Sequence, residues 1–392
     1  MEDSELALQP TQHRSWLWSW LTWSAADGGM LRAAEKKILS YLKTAYRGSY
    51  VNIGATVGEA DKLWTISLNT ESNKTPMLLL HGLASGVALW VLNLDSFAAS
   101  RPVYAIDVLG FGRSSRPTFS SDAMEAERQL VQSVEEWRRE MNLDKIILLG
   151  HSMGGFLAAS YAIRYPDRVK HLILADPWGF PEKPDDISQR YNIPIWVKAI
   201  AYMVQPFNPL WGVRAAGPFG QWLIKKARPD IIRKFAPLLK EDIGMVPQYI
   251  FQCNAQTPSG ESAFHAMMTG FGWAKNPIIK RMDMLRPDIP ITLIYGSRSW
   301  VDNSAGEKIK ELRSGTSYVN IIVISGAGHH VYADKSEIFN RHVNDACSLA
   351  DANAHIKGLN NDHINDKVNP AGDKFEDAED TMKDEMATEN RH

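Results

Sequence analysis

Ile146-Ile147-Leu148-Leu149-Gly150-His151-Ser152-Met153-Gly154-Gly155-Phe156 is the stretch whose reading decides the fold. Four consecutive large apolar residues bounded by glycine have the length and composition of a strand buried on both faces. From Phe156 to Tyr165 the spacing turns helical. Between the two lies G-x-S-x-G, a tight and strained bend in which small neighbours let strand and helix approach closely. Gly150 and Gly154 flank the serine, and Ser152 is thereby expected above the carboxyl edge of a sheet.

Working outward, short runs of the same kind recur at Met77-Leu80, Val103-Ile106, Leu172-Ala175, Ile291-Tyr295 and Asn320-Ile324. Helical stretches such as Ala123 to Met141 separate them and are long enough for crossovers. The class is α/β, with a mostly parallel, doubly wound sheet. From Pro181 to about Arg286 the alternation stops, and Pro, Trp and Phe accumulate among helical segments. About 100 residues is too long for a loop, so a helical cap over one sheet edge is expected, its Trp and Phe lining a pocket for an apolar chain.

The division expected is an N-terminal segment 1–45, a core 46–180, the cap 181–286, a second core portion 287–348 and an acidic tail 349–392. The tail carries 11 acidic and 5 basic residues and hardly any large hydrophobe, a composition that does not offset its ordering entropy. Over all 392 residues, 43 Lys and Arg stand against 45 Asp and Glu. That balance provides no basic field for nucleic acid. Two cysteines, Cys253 and Cys347, argue against a disulfide framework and against a Cys-built zinc site and fit a reducing compartment. The apolar runs are far below the roughly 20 residues needed to span a bilayer. The acidic start, with Glu2, Asp3 and Glu5, makes a poor secretory signal. Four tryptophans, Trp16, Trp18, Trp20 and Trp23, crowd into eight positions beside Leu17 and Leu21.

A serine hydroxyl needs a base to take its proton and an acid to hold that base in one tautomer. After a strand-turn-helix serine the order along the chain is acid, then histidine. His329, in Gly326-Ala327-Gly328-His329 after the run Asn320-Ile324, is the favoured base, with His330 as its competitor. His171, His265 and His342 are expected to face solvent or cap helices. Asp302, beyond the run Ile291-Tyr295 and before a helix starting near Ser304, is the favoured acid. Asp176, directly after Leu172-Ala175, is the alternative. The oxyanion requires two backbone N–H donors, one of them from Met153, next after the nucleophile. The second is expected from Leu83 in His81-Gly82-Leu83, where Gly82 permits close approach and His81 props the loop. Asp107 to Ser114 is expected to be a structural turn along the same edge. The chemistry needs no metal or organic cofactor.

Together these residues resemble the α/β-hydrolase superfamily from about Asn73 to Ser348. More narrowly, the chain is similar to a lipid-handling subfamily that includes an N-acyl-phospholipid lysophospholipase and a lipid-droplet co-activator of triglyceride lipase. The stretches that carry this include Leu109-Gly110-Phe111-Gly112-Arg113-Ser114-Ser115-Arg116-Pro117, Pro177-Trp178-Gly179-Phe180-Pro181, Gln256-Thr257-Pro258-Ser259-Gly260-Glu261 and Gly328-His329-His330-Val331-Tyr332-Ala333-Asp334. In the co-activator branch asparagine typically replaces the nucleophile, so Ser152 aligns this chain with the catalytic branch.

The resemblance implies an α/β-hydrolase fold with a helical cap and a serine lipid hydrolase of the lysophospholipase or N-acyl-phospholipid type, acting in lipid homeostasis. The alternatives it carries are a droplet-bound lipase co-activator and a lysophosphatidic acid acyltransferase. It also implies an H-x-x-x-x-D element, matched by His329 to Asp334. In the family that element is linked to acyl transfer to lysophosphatidic acid, but Asp334 is expected rather to be a first-turn acid at a helix start. A similar Trp-rich segment attaches the co-activator to droplets, and indole rings favour the boundary of an apolar phase. Trp16, Trp18, Trp20 and Trp23, with the helical stretch Met30 to Leu42, are therefore expected to hold a cytoplasmic monomer on a lipid-droplet, endoplasmic reticulum or mitochondrial surface. The expected partners are a phospholipid or lysophospholipid substrate, that surface, and a lipase or droplet-coat protein.

Overall fold

The structure is a computed structural model that describes residues 27–184, 210–270 and 272–352. The Trp16–Trp23 cluster and nearly all of the acidic tail lie outside the described residues.

The core is an eight-stranded sheet: β1 (Tyr46–Gly54), β2 (Asp61–Leu68), β3 (Met77–Leu80), β4 (Val103–Ile106), β5 (Ile146–His151), β6 (Val169–Ala175), β9 (Ile291–Gly296) and β10 (Val319–Ile324). Its spatial order is β1-β2-β4-β3-β5-β6-β9-β10. From β4 to β10 all neighbours are parallel, while β1 pairs with β2 and β2 with β4 antiparallel. All six runs expected as strands form the parallel part. The antiparallel pair at the edge is additional, and its outermost strand alternates exposed and half-buried residues over most of its length.

Every residue of β3, β4, β5 and β9 is buried, because successive side chains enter two separate cores. Leu79, Leu149, Ile173 and Ile294 pack on one face with α1 (Gly28–Leu39), α2 (Leu94–Ala98) and α12 (Ser336–Asp351). Leu78, Leu80, Leu148, Leu172 and Leu293 pack on the other with α3 (Ala123–Glu140), α4 (Met153–Arg164) and α10 (Ser304–Leu312). The Asp122 carboxylate caps α3 by accepting from Glu125 N–H at 2.9 Å. That helix ends at Asn142 with φ 53°, a left-handed residue of the kind that closes helices.

Between β6 and β9 the described chain is largely helical: α5 (Trp211–Ala215), α6 (Gly220–Ala227), α7 (Pro229–Leu239), α8 (Met245–Asn254) and α9 (Gly260–Met267), followed by the two-residue strands β7 (Met268–Thr269) and β8 (Trp273–Ala274). The remaining helix, α11 (Val331–Asp334), follows β10.

Helix α1 corrects one expectation. Its apolar face is not open to a lipid surface, since Leu31, Ala34, Ile38 and Leu39 are all within 3% of full burial and belong to the core shared with α8. Glu35 is buried on the same face and pairs with Arg113 at 2.6 Å, whose guanidinium lies 3.4 Å above the Trp64 ring. Burial, then the Asp107 charge, push the Glu35 carboxyl up to about 8, against the opposing pull of Arg113. At the other end, Asp351 belongs to α12 rather than to a tail, and it grips the buried Arg101 with two hydrogen bonds of 2.8 and 3.2 Å.

Candidate active site

β5 ends at His151 and α4 starts at Met153, so one residue makes the whole turn. Ser152 takes φ 53° and ψ −117°, a strained conformation for a residue with a side chain. Backbone bonds hold it there: Ser152 N–H donates to Ala175 O at 3.0 Å, and Trp178 N–H donates to Ser152 O at 3.1 Å. The flanking glycines are steric necessities. A Cβ at Gly150 would strike the Gly154 carbonyl, and one at Gly154 the Leu80 carbonyl. Ser152 is 7% exposed.

His329 reaches this serine from the turn between β10 and α11. Its Nε2 lies 3.0 Å from Ser152 Oγ, and its Nδ1 lies 2.6 Å from Oδ2 of Asp176. With the carboxylate as acceptor, Nδ1 carries the proton and Nε2 presents its lone pair to the serine hydroxyl. Asp176 is fully buried at φ 46°, the first residue beyond β6. Its Oδ1 accepts from Gly296 N–H at 3.1 Å, and Oδ2 also accepts from the Ser299 hydroxyl. The acid on His329 is thus the alternative, Asp176, and the preference for Asp302 is corrected. Asp302 lies six residues beyond the end of β9 on the approach to α10, where its exposed carboxylate accepts from Ser304 N–H at 2.9 Å. Asp176 instead leaves β6, the immediate neighbour of the strand that carries Ser152.

His330 packs against the His151 ring, with centroids 5.4 Å apart. Burial, with the His151 and His329 rings adding, holds its pKa well below the ordinary histidine value. His151 fills an unspecified position of G-x-S-x-G, so the motif does not single it out. Its Nε2–H donates to the His329 carbonyl at 2.9 Å, so the nucleophile turn and the base turn are fastened to each other. Burial pushes its pKa well down, which keeps the ring neutral. His171 is not a surface residue: it is fully buried on β6 with Nε2 2.8 Å from Thr292 Oγ1, and burial takes its pKa down to about 3.

His81 props its loop as expected. Nε2 accepts from Val108 N–H at 3.0 Å and Nδ1–H donates to Gly82 O at 2.8 Å, a neutral tautomer that burial favours. Asp107 extends the same scaffold by accepting from Val87 N–H at 2.9 Å and Arg113 N–H at 2.8 Å. Gly82 passes against the nucleophile turn so closely that a Cβ would lie 3.1 Å from Ser152 Cβ. Asp334 does more than charge a helix: Oδ2 accepts from Gly328 N–H at 2.8 Å, next to His329, and Oδ1 pairs with Lys234 of α7 at 3.0 Å.

The expected aromatic lining of the cap is corrected in part. Phe235 and Phe251 join the core, whereas Trp211, Phe219 and Trp222 are 52%, 66% and 58% exposed. Trp196 and Phe207 lie outside the described residues.

Comparison with known proteins agrees with this architecture. The model of the alpha/beta hydrolase fold matches residues 75–336. The chain belongs to the α/β-hydrolase family. Among relatives in this family, human 1-acylglycerol-3-phosphate O-acyltransferase ABHD5 is 50% identical over 82% of this chain and 90% of its own length. Human (lyso)-N-acylphosphatidylethanolamine lipase is 48% identical over 82% and 92%. Of solved structures, the α/β hydrolase naproxen esterase of Bacillus subtilis superposes with a TM-score of 0.56 at 16% identity, covering 81% of this chain and 97% of that one. A bacterial membrane phospholipase A gives 0.55 at 19% identity, over 86% and 95%.

Proposed function

We propose that this α/β hydrolase is a serine acyl hydrolase of phospholipids and lysophospholipids, N-acylated ethanolamine phospholipids included, acting in lipid homeostasis. The observation that carries the reading is the continuous line Ser152 Oγ, His329 Nε2, His329 Nδ1, Asp176 Oδ2, with spacings of 3.0 and 2.6 Å. The substrate class follows from the relatives, one of them a lipase of N-acyl and lyso phospholipids.

In the proposed reaction Ser152 Oγ attacks the acyl carbonyl carbon as its proton passes to His329 Nε2. The charge that develops on the imidazolium faces the buried Asp176 carboxylate. The tetrahedral oxyanion sits between two backbone N–H groups. Met153 supplies one, since the first residue of a helix has no acceptor within its own helix. Leu83, beside Gly82 on the loop scaffolded by His81, supplies the other. The tetrahedral intermediate then collapses, the leaving oxygen takes the proton from Nε2, and the acyl group stays on Ser152. Water, deprotonated by the same Nε2, releases the fatty acid. The 50% identity with an enzyme named for acyl transfer to 1-acylglycerol-3-phosphate supports a second acceptor: the lysolipid hydroxyl enters where water does.

Association with a lipid surface is part of the proposal. Among the described residues no helix is long and apolar enough to cross a membrane. Trp211, Phe219 and Trp222 are exposed on the cap, and Lys225 and Lys226 share the helix that carries Trp222, a composition suited to an anionic lipid boundary. Trp16, Trp18, Trp20 and Trp23 add to it from the N-terminal segment. Ser152→Ala alongside wild type tests the reading, first with a fluorophosphonate probe and then with lysophospholipid and N-acyl phosphatidylethanolamine vesicles, with and without lysophosphatidic acid. Labelling and fatty-acid release that both require Ser152 are expected. A folded wild type that neither labels nor turns over these lipids would overturn it.

A further inference from the structure

The turn that follows β9, from Gly296 to Val301, touches the acid and the base at once. Ser297 N–H donates to Ile324 O at 3.0 Å, Arg298 N–H donates to Ala327 O at 2.8 Å, and Gly326 N–H donates to Ser297 Oγ at 2.9 Å. These bonds pin the turn to the segment that delivers His329. On its other side Gly296 N–H and the Ser299 hydroxyl both donate to Asp176. Trp300, 65% exposed, lays its ring 5.0 Å from the His329 ring.

Within this turn the Ser299 hydroxyl has a defined direction. Its oxygen accepts from Val301 N–H at 3.1 Å, so its own proton is free for Asp176 Oδ2, the oxygen that also receives His329 Nδ1–H. Linked donors of this kind polarise one another in a buried site. Among the described residues, the Gly296 N–H, the Ser299 hydroxyl and His329 Nδ1–H are the donors that fix the torsion of this unexposed carboxyl group. We infer that Ser299 is a positioning residue of the reaction: its hydroxyl fixes the Asp176 carboxylate so that Oδ2 faces His329 Nδ1 while the imidazolium forms. The inference rests on the acyl-transfer reading above for its kinetic consequence, and on the Ser299–Asp176–His329 geometry for the rest.

The test uses the full chain as wild type, Ser299→Ala, Ser299→Thr and Ser152→Ala, with fluorophosphonate inactivation followed over a range of probe concentrations. For Ser299→Ala the limiting inactivation rate should fall roughly tenfold, the scale of one charge-assisted hydrogen bond lost in the transition state. The half-saturating probe concentration should hold within about twofold of wild type, because Ser299 contacts the acid rather than the substrate. Ser299→Thr, which keeps the hydroxyl, should recover most of the rate. In the proton NMR spectrum the low-field resonance of His329 Nδ1–H should move in Ser299→Ala and return in Ser299→Thr. Ser299→Cys, similar in volume and a weak donor, gives the same ordering should the alanine variant not fold.

A wild-type inactivation rate in Ser299→Ala, or a threonine variant as slow as alanine at equal stability, would overturn the inference. If wild type reacts no faster than Ser152→Ala, the acyl-transfer reading fails instead. The NMR comparison then still decides Ser299: an unmoved resonance refutes its role, and a moved one upholds it.

Discussion

Replacing Asp176 by asparagine has a consequence that the hydrogen bonds around it dictate. One carboxylate oxygen accepts from Gly296 N–H, and the other accepts from both His329 Nδ1–H and Ser299. An asparagine that keeps its oxygen on Gly296 must turn its NH2 toward His329. The imidazole then accepts at Nδ1 and carries its proton on Nε2, which is useless as a base for Ser152. The opposite orientation sets NH2 against the Gly296 N–H, donor to donor, inside a site with no exposure, at a cost of about 1–3 kcal/mol. The first arrangement wins by that margin, and because asparagine also removes the negative charge that faces the imidazolium, kcat should fall on the order of 10⁴-fold in all, about 5.5 kcal/mol of transition-state stabilisation. Asp302→Asn preserves the oxygen that accepts from Ser304 N–H and should leave kcat within about twofold. Steady-state hydrolysis of a soluble p-nitrophenyl ester, with folding checked by circular dichroism, measures both. An Asp176→Asn enzyme within tenfold of wild type, or an Asp302→Asn enzyme as slow as Asp176→Asn, would refute the reasoning.

Three further outcomes are expected. Gly154→Ala drives a methyl group into the Leu80 carbonyl and to 2.6 Å from the His81 carbonyl, so it should destabilise the protein by about 3 kcal/mol; Gly244→Ala, with nothing within 4 Å, should leave Tm almost unchanged in the same calorimetric scan. His171 is neutral in the fold down to about 3 but titrates near 6.5 when unfolded, so its contribution is complete above pH 6.5 and declines as pH falls from 6.5 toward 3. Between pH 7.5 and pH 5, urea denaturation should show His171→Gln losing about 2 kcal/mol less than wild type, and equal losses would contradict the assignment. Asp334→Asn, which weakens both the Gly328 contact and the Lys234 pair, should lower kcat roughly tenfold while KM for a soluble ester stays near wild type; a change confined to KM would show that Asp334 acts on binding.

β3, β4, β5, β6 and β9 were legible because sheet residues covered on both faces give unbroken apolar runs, and β10, although at the sheet's edge, keeps the apolar run Ile321 to Ile324. The two-residue strands β7 and β8 are too short to show such a run. Tyr46–Gly54 was not legible, since Arg47, Ser49 and Asn52 belong to an edge strand with an open face. Ser152 and His329 were legible from their glycine-rich turns. The choice between Asp176 and Asp302 was not, because each follows a strand and what separates them is spatial: β6 lies beside β5, and the sequence does not state the order β5-β6-β9-β10. The cap tryptophans show a similar limit. Composition announces apolar rings, but only packing shows that Phe235 turns inward while Trp222 faces out.

The turn carrying His329 crosses the end of β9 over Gly296, where a Cβ would press on the carbonyls of Ala327 and Gly328. Nucleophile and base are separated by 177 positions along the chain. A polypeptide emerging from the ribosome therefore holds Ser152, and then Asp176, long before it holds His329, the histidine that stands beside the serine hydroxyl. Activity arrives only when the last strand docks on β9. On the proposed mechanism, a chain cut short before that strand would be chemically silent toward lipids, so one of the last sheet elements to be made would also be the one that arms the enzyme.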